Sequence, residues 1–225
     1  MAESFHRTLF IDGSAGRLET ILWTSAAPHP VRIALVCHPH PLFGGTMHNK
    51  VVFHAARTLH NHGFPVLRFN FRGAGLSQGT HDKGIGEAND VRAALDYLAA
   101  EFPRRPIILA GFSFGAWVGL RVGCEDSRVS EIVGLGIPVN DSDLSYLESC
   151  RKPKLFLQGG DDQYGSTERV QSLVAKMPPP KRLVIIPGAD HFFAGHIPEM
   201  TDALYAWLSE CVDPGIAAPQ ADENH

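Results

Sequence analysis

The chain has no apolar run near the roughly 18 residues that a membrane-spanning helix needs. Its first residues, Met-Ala-Glu-Ser-Phe-His-Arg, lack the charged-then-apolar order of a secretory signal. A cytoplasmic protein with no membrane partner is expected. A basic excess is also missing: 20 Lys and Arg stand against 24 Asp and Glu, a formal net charge of −4, so nucleic acid is not an expected partner. Cysteine is scarce. The four residues, Cys37, Cys124, Cys150 and Cys211, are far apart and form no C-x-x-C pair, so spacing points to neither a zinc knuckle nor a redox dithiol. A chain of 225 residues without a secretory signal does not need a disulfide framework. Carboxylates are absent from one informative place. Of the twelve histidines, His38, His40, His48, His54, His60 and His62 crowd a stretch with no Asp or Glu, whereas a His-rich hydrolytic metal site would include a carboxylate ligand. No metal or cofactor is expected, and the helix histidines should sit mostly on a solvated face.

Hydrophobic residues make up 44% of the chain, enough for one sizeable core. Short apolar runs alternate with helical periodicity, the pattern of a mainly parallel sheet in an α/β protein. Residues 8–11 and 18–23 flank the turn-rich Asp12-Gly13-Ser14-Ala15-Gly16 and predict an antiparallel hairpin. Six further strands are predicted at 31–37, 66–71, 107–110, 131–136, 154–158 and 183–186, eight in all. Apolar stripes at Val51, Val52, Ala55, Ala56 and Leu59, and at Ala88, Val91, Leu95, Leu98 and Phe102, mark two flanking helices. Val170, Leu173, Val174 and Met177, behind a Ser166 N-cap, mark another, and Ile197, Met200, Leu204, Leu208 and Cys211 a fourth. The predicted organisation is a single domain over 1–211, followed by a disordered tail at 212–225 that is rich in Pro, Ala, Asp and Asn.

Gly111-Phe112-Ser113-Phe114-Gly115 fits G-x-S-x-G, the sharp strand-to-helix turn that exposes a serine hydroxyl at the sheet edge. A chance match arises in about one such chain in eight, and Gly75-Leu76-Ser77-Gln78-Gly79 is a second one. Context separates them. Ser113 has an apolar strand before it and a helix after it, whereas Ser77 lies in a glycine-rich loop and reads as turn chemistry. A serine hydroxyl needs a histidine to take its proton and a carboxylate to hold that histidine's tautomer. In this topology both follow the nucleophile, in the order acid then base. The loop after 154–158 offers Asp161 and Asp162, one of which need face the site; the loop after 183–186 offers His191, with His196 as the rival base and Asp190 as a turn former.

Taken together, His38-Pro39-His40-Pro41-Leu42-Phe43-Gly44-Gly45-Thr46-Met47, Asn70-Phe71-Arg72-Gly73-Ala74-Gly75-Leu76-Ser77, the turn at Ser113, Gly159-Gly160-Asp161-Asp162 and Gly188-Ala189-Asp190-His191-Phe192 resemble the α/β-hydrolase family. The nearest resemblance is to its small dienelactone-hydrolase-like serine hydrolases. It implies an α/β-hydrolase fold with an eight-stranded, mostly parallel sheet. The fourth position of G-x-x-D makes Asp162 the acid beside Ser113 and His191. The chain departs from dienelactone hydrolases, which usually carry cysteine where Ser113 stands, and from relatives with Asp where Asn70 stands, a position read as structural.

Negative charge on a carbonyl oxygen calls for fixed N–H donors. Phe114, following the nucleophile, is one; the loop after 31–37 supplies the other, and because Pro39 and Pro41 lack an N–H, His40 and Leu42 remain. The resemblance implies Leu42. Only about sixteen residues, 137–152, separate the fourth and fifth of the six later strands, so no cap domain fits. The expected activity is a carboxylesterase-type serine hydrolase acting on a small-molecule acyl substrate at an open site. An acyltransferase with the same triad, or a non-catalytic binding protein of this shape, are the alternatives.

Overall fold

The computed structural model describes residues 5–24 and 30–212. Strands β1 (Phe5–Gly13) and β2 (Gly16–Thr24) form the predicted hairpin, in register from Phe5 opposite Thr24 to Gly13 opposite Gly16. The other six are β3 (Ile33–Cys37), β4 (Val66–Phe69), β5 (Ile107–Phe112), β6 (Val129–Leu135), β7 (Lys154–Gly159) and β8 (Lys181–Ile186). They join the hairpin in one sheet ordered β1-β2-β4-β3-β5-β6-β7-β8, in which β2 meets β4 antiparallel and all later pairs are parallel. The central strands read as unbroken apolar runs because both faces of the sheet are covered. Helices α1 (Lys50–Asn61) and α5 (Ile197–Trp207) pack on one face; α2 (Ile85–Glu101), α3 (Phe114–Glu125) and α4 (Thr167–Lys176) pack on the other. Residues 136–153, between β6 and β7, hold one short 3-10 turn at Ser145–Ser149 and no cap domain.

The chain runs from β3 outward to β4 on one side, then returns to β5 on the other. That reversal opens a crevice at the carboxyl ends of β3 and β5, the place where open α/β sheets bind ligands. The loop of His38 to Gly45 and the turn at Ser113 both emerge there.

Most departures from the expected elements are shifts of one or two residues at strand ends. Others have physical content. The α2 stripe buries Val91, Leu95 and Leu98 as expected, but it also buries Glu87 and Asp90 completely. The histidines of the α1 region are not uniformly solvated: His48 is exposed, His60 reaches the carbonyl of Thr24 at 3.1 Å, and His62 is buried. Ser166 occupies the N-cap position of α4 with extended backbone, but its hydroxyl makes no capping bond. The last helix continues as a π-helical turn, Leu208–Val212. From residue 213 on, the tail expected at 212–225 lies outside the described residues, as does the Cys211 side chain.

Candidate active site

Ser113 is the single residue between β5 and α3, at φ 54° and ψ −119°. This conformation is costly for any residue with a side chain, and such strain concentrates at functional turns. The flanking glycines make it possible. A Cβ on Gly111 would lie 2.4 Å from the Gly115 carbonyl oxygen, and one on Gly115 would lie 2.4 Å from that of His38 and 2.5 Å from that of Cys37. Helix α3 can therefore start directly against the end of β3, which brings the loop after β3 beside Ser113.

The three residues expected to act together meet. His191 Nε2 stands 2.9 Å from Ser113 Oγ, and His191 Nδ1 stands 2.8 Å from Asp162 Oδ2. Asp162 is buried and its remaining capacity is filled. Oδ1 accepts the N–H groups of Tyr164 (2.8 Å) and Gly165 (3.1 Å), and Oδ2 also accepts Gln158 Nε2 (2.7 Å). With Oδ2 able only to accept, the imidazole proton is fixed on Nδ1 and the Nε2 lone pair faces the serine. Phe112 and Tyr164 pack on the imidazole, with ring centroids 5.0 and 4.6 Å away. The rivals are engaged elsewhere. Asp161 is exposed; Asp190 Oδ1 accepts the N–H groups of Phe192 and Ala194; His196 pairs with Glu199 one turn along α5. Ser77 donates to the carbonyl of Asn70 and accepts the N–H of Glu19, and Asn70 bridges Met47 N–H to Glu19. Both are structural, as their sequence context predicts.

The expectation for Leu42 is corrected. Its N–H donates to His40 Nδ1 at 3.2 Å, inside the 3-10 turn Pro41–Phe43, and its side chain is 67% exposed. A donor already used by an imidazole is not available to an incoming oxygen. Among the described residues the N–H of His40 meets no protein acceptor, and that of Phe114, first in α3, has none within its helix. The resemblance pointed to Leu42 because the bond from His40 to Leu42 is a matter of local three-dimensional geometry that no motif records.

His38 sets this loop. Fully buried, its Nδ1 donates to the carbonyl of Pro39 at 2.6 Å and its Nε2 accepts the N–H of Phe71 at 2.9 Å, anchoring the loop to the strand end beside it. Burial lowers its pKa from 6.5 to about 4, partly opposed by the Pro39 carbonyl and assisted by His40. A histidine with a depressed folded pKa binds its proton more readily in the unfolded chain, so stability is complete above about pH 6.5 and falls as pH drops toward 4. The expected loss is about 3 kcal/mol by pH 4. In urea titrations from pH 7 to 4, His38→Gln should start less stable at pH 7 and show a shallower decline. An equal decline in both proteins would place the acid sensitivity elsewhere.

The cleft around Ser113 has a volume of about 620 Å³. Its walls include the aromatic residues Phe43, Phe114, Tyr164 and Phe192 and, from the glycine-rich loop and α3, His81, Lys83 and Trp117. The ring centroids of His40 and His81 are 4.8 Å apart, and His81 Nδ1 lies 2.8 Å from the buried Glu87. Burial and His81 hold the His40 pKa below its ordinary value, against the pull of Glu87. The sequence offers one faint signal for this wall, the glycine-rich run from Gly73 to Gly84. Among the described residues no group of three or more His, Cys, Asp or Glu side chains is arranged to hold a metal ion, and no helix is long and apolar enough to cross a membrane.

Comparison with known proteins agrees with this fold. The family described as "Alpha/beta hydrolase domain" matches residues 36–203. An uncharacterized protein of Rickettsia prowazekii is 38% identical over 209 residues, covering 89% of this chain and 87% of that one. Among solved structures, an alpha-beta serine hydrolase homologue from Coxiella burnetii superposes with a TM-score of 0.85 at 36% identity, over 90% of this chain and 97% of that one. A protein of Xanthomonas campestris, described as a serine hydrolase without lid, has a TM-score of 0.85 at 33% identity, over 95% and 97%.

Proposed function

We propose that this chain, which belongs to the alpha/beta hydrolase domain family, is a serine hydrolase that cleaves small carboxylic esters through an acyl-enzyme on Ser113. The observation that carries the reading is the unbroken relay from Ser113 Oγ through His191 to Asp162, at 2.9 and 2.8 Å. The descriptions of the Coxiella and Xanthomonas relatives as serine hydrolases support it.

His191 Nε2 takes the hydroxyl proton as Ser113 Oγ attacks the ester carbonyl, and Asp162 stabilises the imidazolium that forms. The carbonyl oxygen, now negative, lies between the N–H groups of His40 and Phe114. One such donor contributes about 2.7–4 kcal/mol to the barrier reduction. The tetrahedral species collapses, His191 returns its proton to the departing alkoxide, and the acyl group stays on Ser113. Water then gives a proton to His191 as its oxygen bonds the acyl carbon; the bond to Ser113 Oγ breaks, His191 returns that proton to Oγ, and the acid leaves. Without a cap the cleft stays open, which favours small or extended acyl groups.

A fluorophosphonate probe should label Ser113 stoichiometrically in the folded protein, and short p-nitrophenyl esters should be hydrolysed. Failure of the probe to react with folded protein, together with no ester turnover, would remove the proposal. A panel of acyl chain lengths then ranks the substrates.

A further inference from the structure

Helix α3 begins at the candidate nucleophile and ends beside a second group of reactive side chains. Cys124, in the last turn of α3, and Cys150, following the 3-10 turn Ser145–Ser149, line one cavity of about 340 Å³. Arg121, Tyr146, Arg151 and Lys152 share its walls. Both thiols are reduced, Cys150 buried and Cys124 half-buried.

Bonds on either side of Cys150 hold the two elements together. Tyr146 Oη donates to the carbonyl of Trp117 at 2.9 Å, and Lys152 Nζ donates to the carbonyl of Gly123, the residue before Cys124, at 2.6 Å and to that of Asp126. The cysteines thus line one cavity from segments that are already fastened. Twenty-five residues of sequence lie between them, which is why their spacing carries no dithiol signature.

We propose that Cys124 and Cys150 form a redox-active dithiol that hydrogen peroxide converts to an intramolecular disulfide. The Cys150 sulfur, as thiolate, attacks one peroxide oxygen. The O–O bond breaks, hydroxide leaves and is protonated to water, and Cys150 becomes a sulfenic acid. The Cys124 sulfur then attacks the Cys150 sulfur; the S–O bond breaks, and the hydroxyl departs as water with the Cys124 proton. Two thiols lose two electrons in total, and one peroxide becomes two waters.

The order of events follows from the surroundings. The hydrogen bond from Cys124 lowers the pKa of Cys150, with further help from Lys154 and Lys152, and outweighs the burial that opposes it. The same hydrogen bond, reinforced by burial, raises that of Cys124. Cys150 is therefore the attacking sulfur and Cys124 the resolving one. Cys37 has no such setting: full burial raises its thiol pKa well above the usual range. Eleven residues of helix, about 16 Å, separate Cys124 from Ser113, so oxidation should leave the nucleophile itself intact while tying the 136–153 wall of the cleft to α3.

The test treats full-length protein with millimolar hydrogen peroxide and reads intact mass, thiol count and peptide map. The expected result is a loss of about 2 Da and of two titratable thiols, both restored by dithiothreitol. The map should show a Cys124–Cys150 cross-linked peptide, and fluorophosphonate labelling of Ser113 should not change. Cys124→Ser should stop at a Cys150 sulfenic acid that dimedone traps, and Cys150→Ser should form no cross-link within the chain. Two unreacted thiols, a bridge to Cys211 or to a second chain, or direct passage of wild-type Cys150 to sulfinic acid would each overturn the proposal. Because the wild-type map alone decides the pairing, a variant that folds poorly does not blunt the test. Loss of probe labelling in untreated protein would count against the serine chemistry and leave the dithiol unaffected.

Discussion

Ser113→Ala lowers kcat/KM for short p-nitrophenyl esters by about four to six orders of magnitude, with the thermal midpoint unchanged or slightly raised. Oγ bonds His191 Nε2 at 2.9 Å, and because His191 lines the open cleft, a water can take the place of the deleted hydroxyl. The N–H groups of His40 and Phe114 remain, and a small residual rate over water should persist. Asp162→Asn should cost about 10⁴-fold, because an amide in place of Oδ2 no longer fixes the imidazole proton on Nδ1. Asp161→Asn, one residue earlier and exposed, should change kcat/KM less than about twofold, as surface substitutions usually do. Steady-state kinetics on the three variants, with near-ultraviolet circular dichroism to check folding, separates chemistry from collapse. Wild-type turnover by Ser113→Ala would eliminate Ser113 as nucleophile, and equal losses at Asp161 and Asp162 would undo the assignment of the acid.

Asp90→Ala should destabilise the fold by about 3–5 kcal/mol, the usual consequence of leaving one member of a buried ion pair alone. Asp90 is fully buried and takes three guanidinium contacts from Arg72, the shortest 2.7 Å, as well as the Arg72 backbone N–H at 3.0 Å. Arg72 also reaches Ser14 in the β1–β2 turn, so the pair joins α2, the loop after β4 and the hairpin. The two partners point in different directions energetically. The contacts raise the Arg72 pKa, as a favourable pair should, yet burial raises the Asp90 carboxyl above its usual range in spite of them. The carboxyl is the more deeply buried group, so its direction governs: desolvation offsets much of the attraction. The intact pair is then a modest net contributor, whereas a broken pair is costly. Asp90→Ala should drop the thermal midpoint by roughly 6–20 °C. The double variant Arg72→Met with Asp90→Leu should recover most of that loss. A double variant as unstable as the single one would mean that the pair itself stabilises the fold.

The pattern of this fold was legible where a residue's environment is set by its neighbours in sequence. Alternating apolar runs disclosed eight strands, the stripe at Val51, Val52, Ala55, Ala56 and Leu59 disclosed the buried face of α1, and the strand-turn-helix context separated Ser113 from Ser77. Even the strained φ of Ser113 follows from the glycines around it, since the clash they avoid lies within five residues and the adjoining strand end. Chain order points to the loop of Asp161 and Asp162 and to that of His191, because each stands directly after a parallel strand at the same edge of the sheet, while only the G-x-x-D resemblance points to Asp162 rather than Asp161.

What needed tertiary structure was every question of which polar group is already occupied and which is buried. Leu42 and His40 are equal candidates in the sequence; a 3.2 Å bond from one N–H to the other's imidazole separates them. Glu87 and Asp90 look like the solvated side of α2 until His81 and Arg72, both from the preceding loops, fold over them. Cys124 and Cys150 are unrelated in spacing and become neighbours through the packing of the Ser145–Ser149 turn against α3. Periodicity records whether a face is apolar, a property each residue carries by itself. Hydrogen-bond occupancy and charge pairing belong to pairs of residues, and where the partner lies far along the chain only the folded sheet brings it into reach.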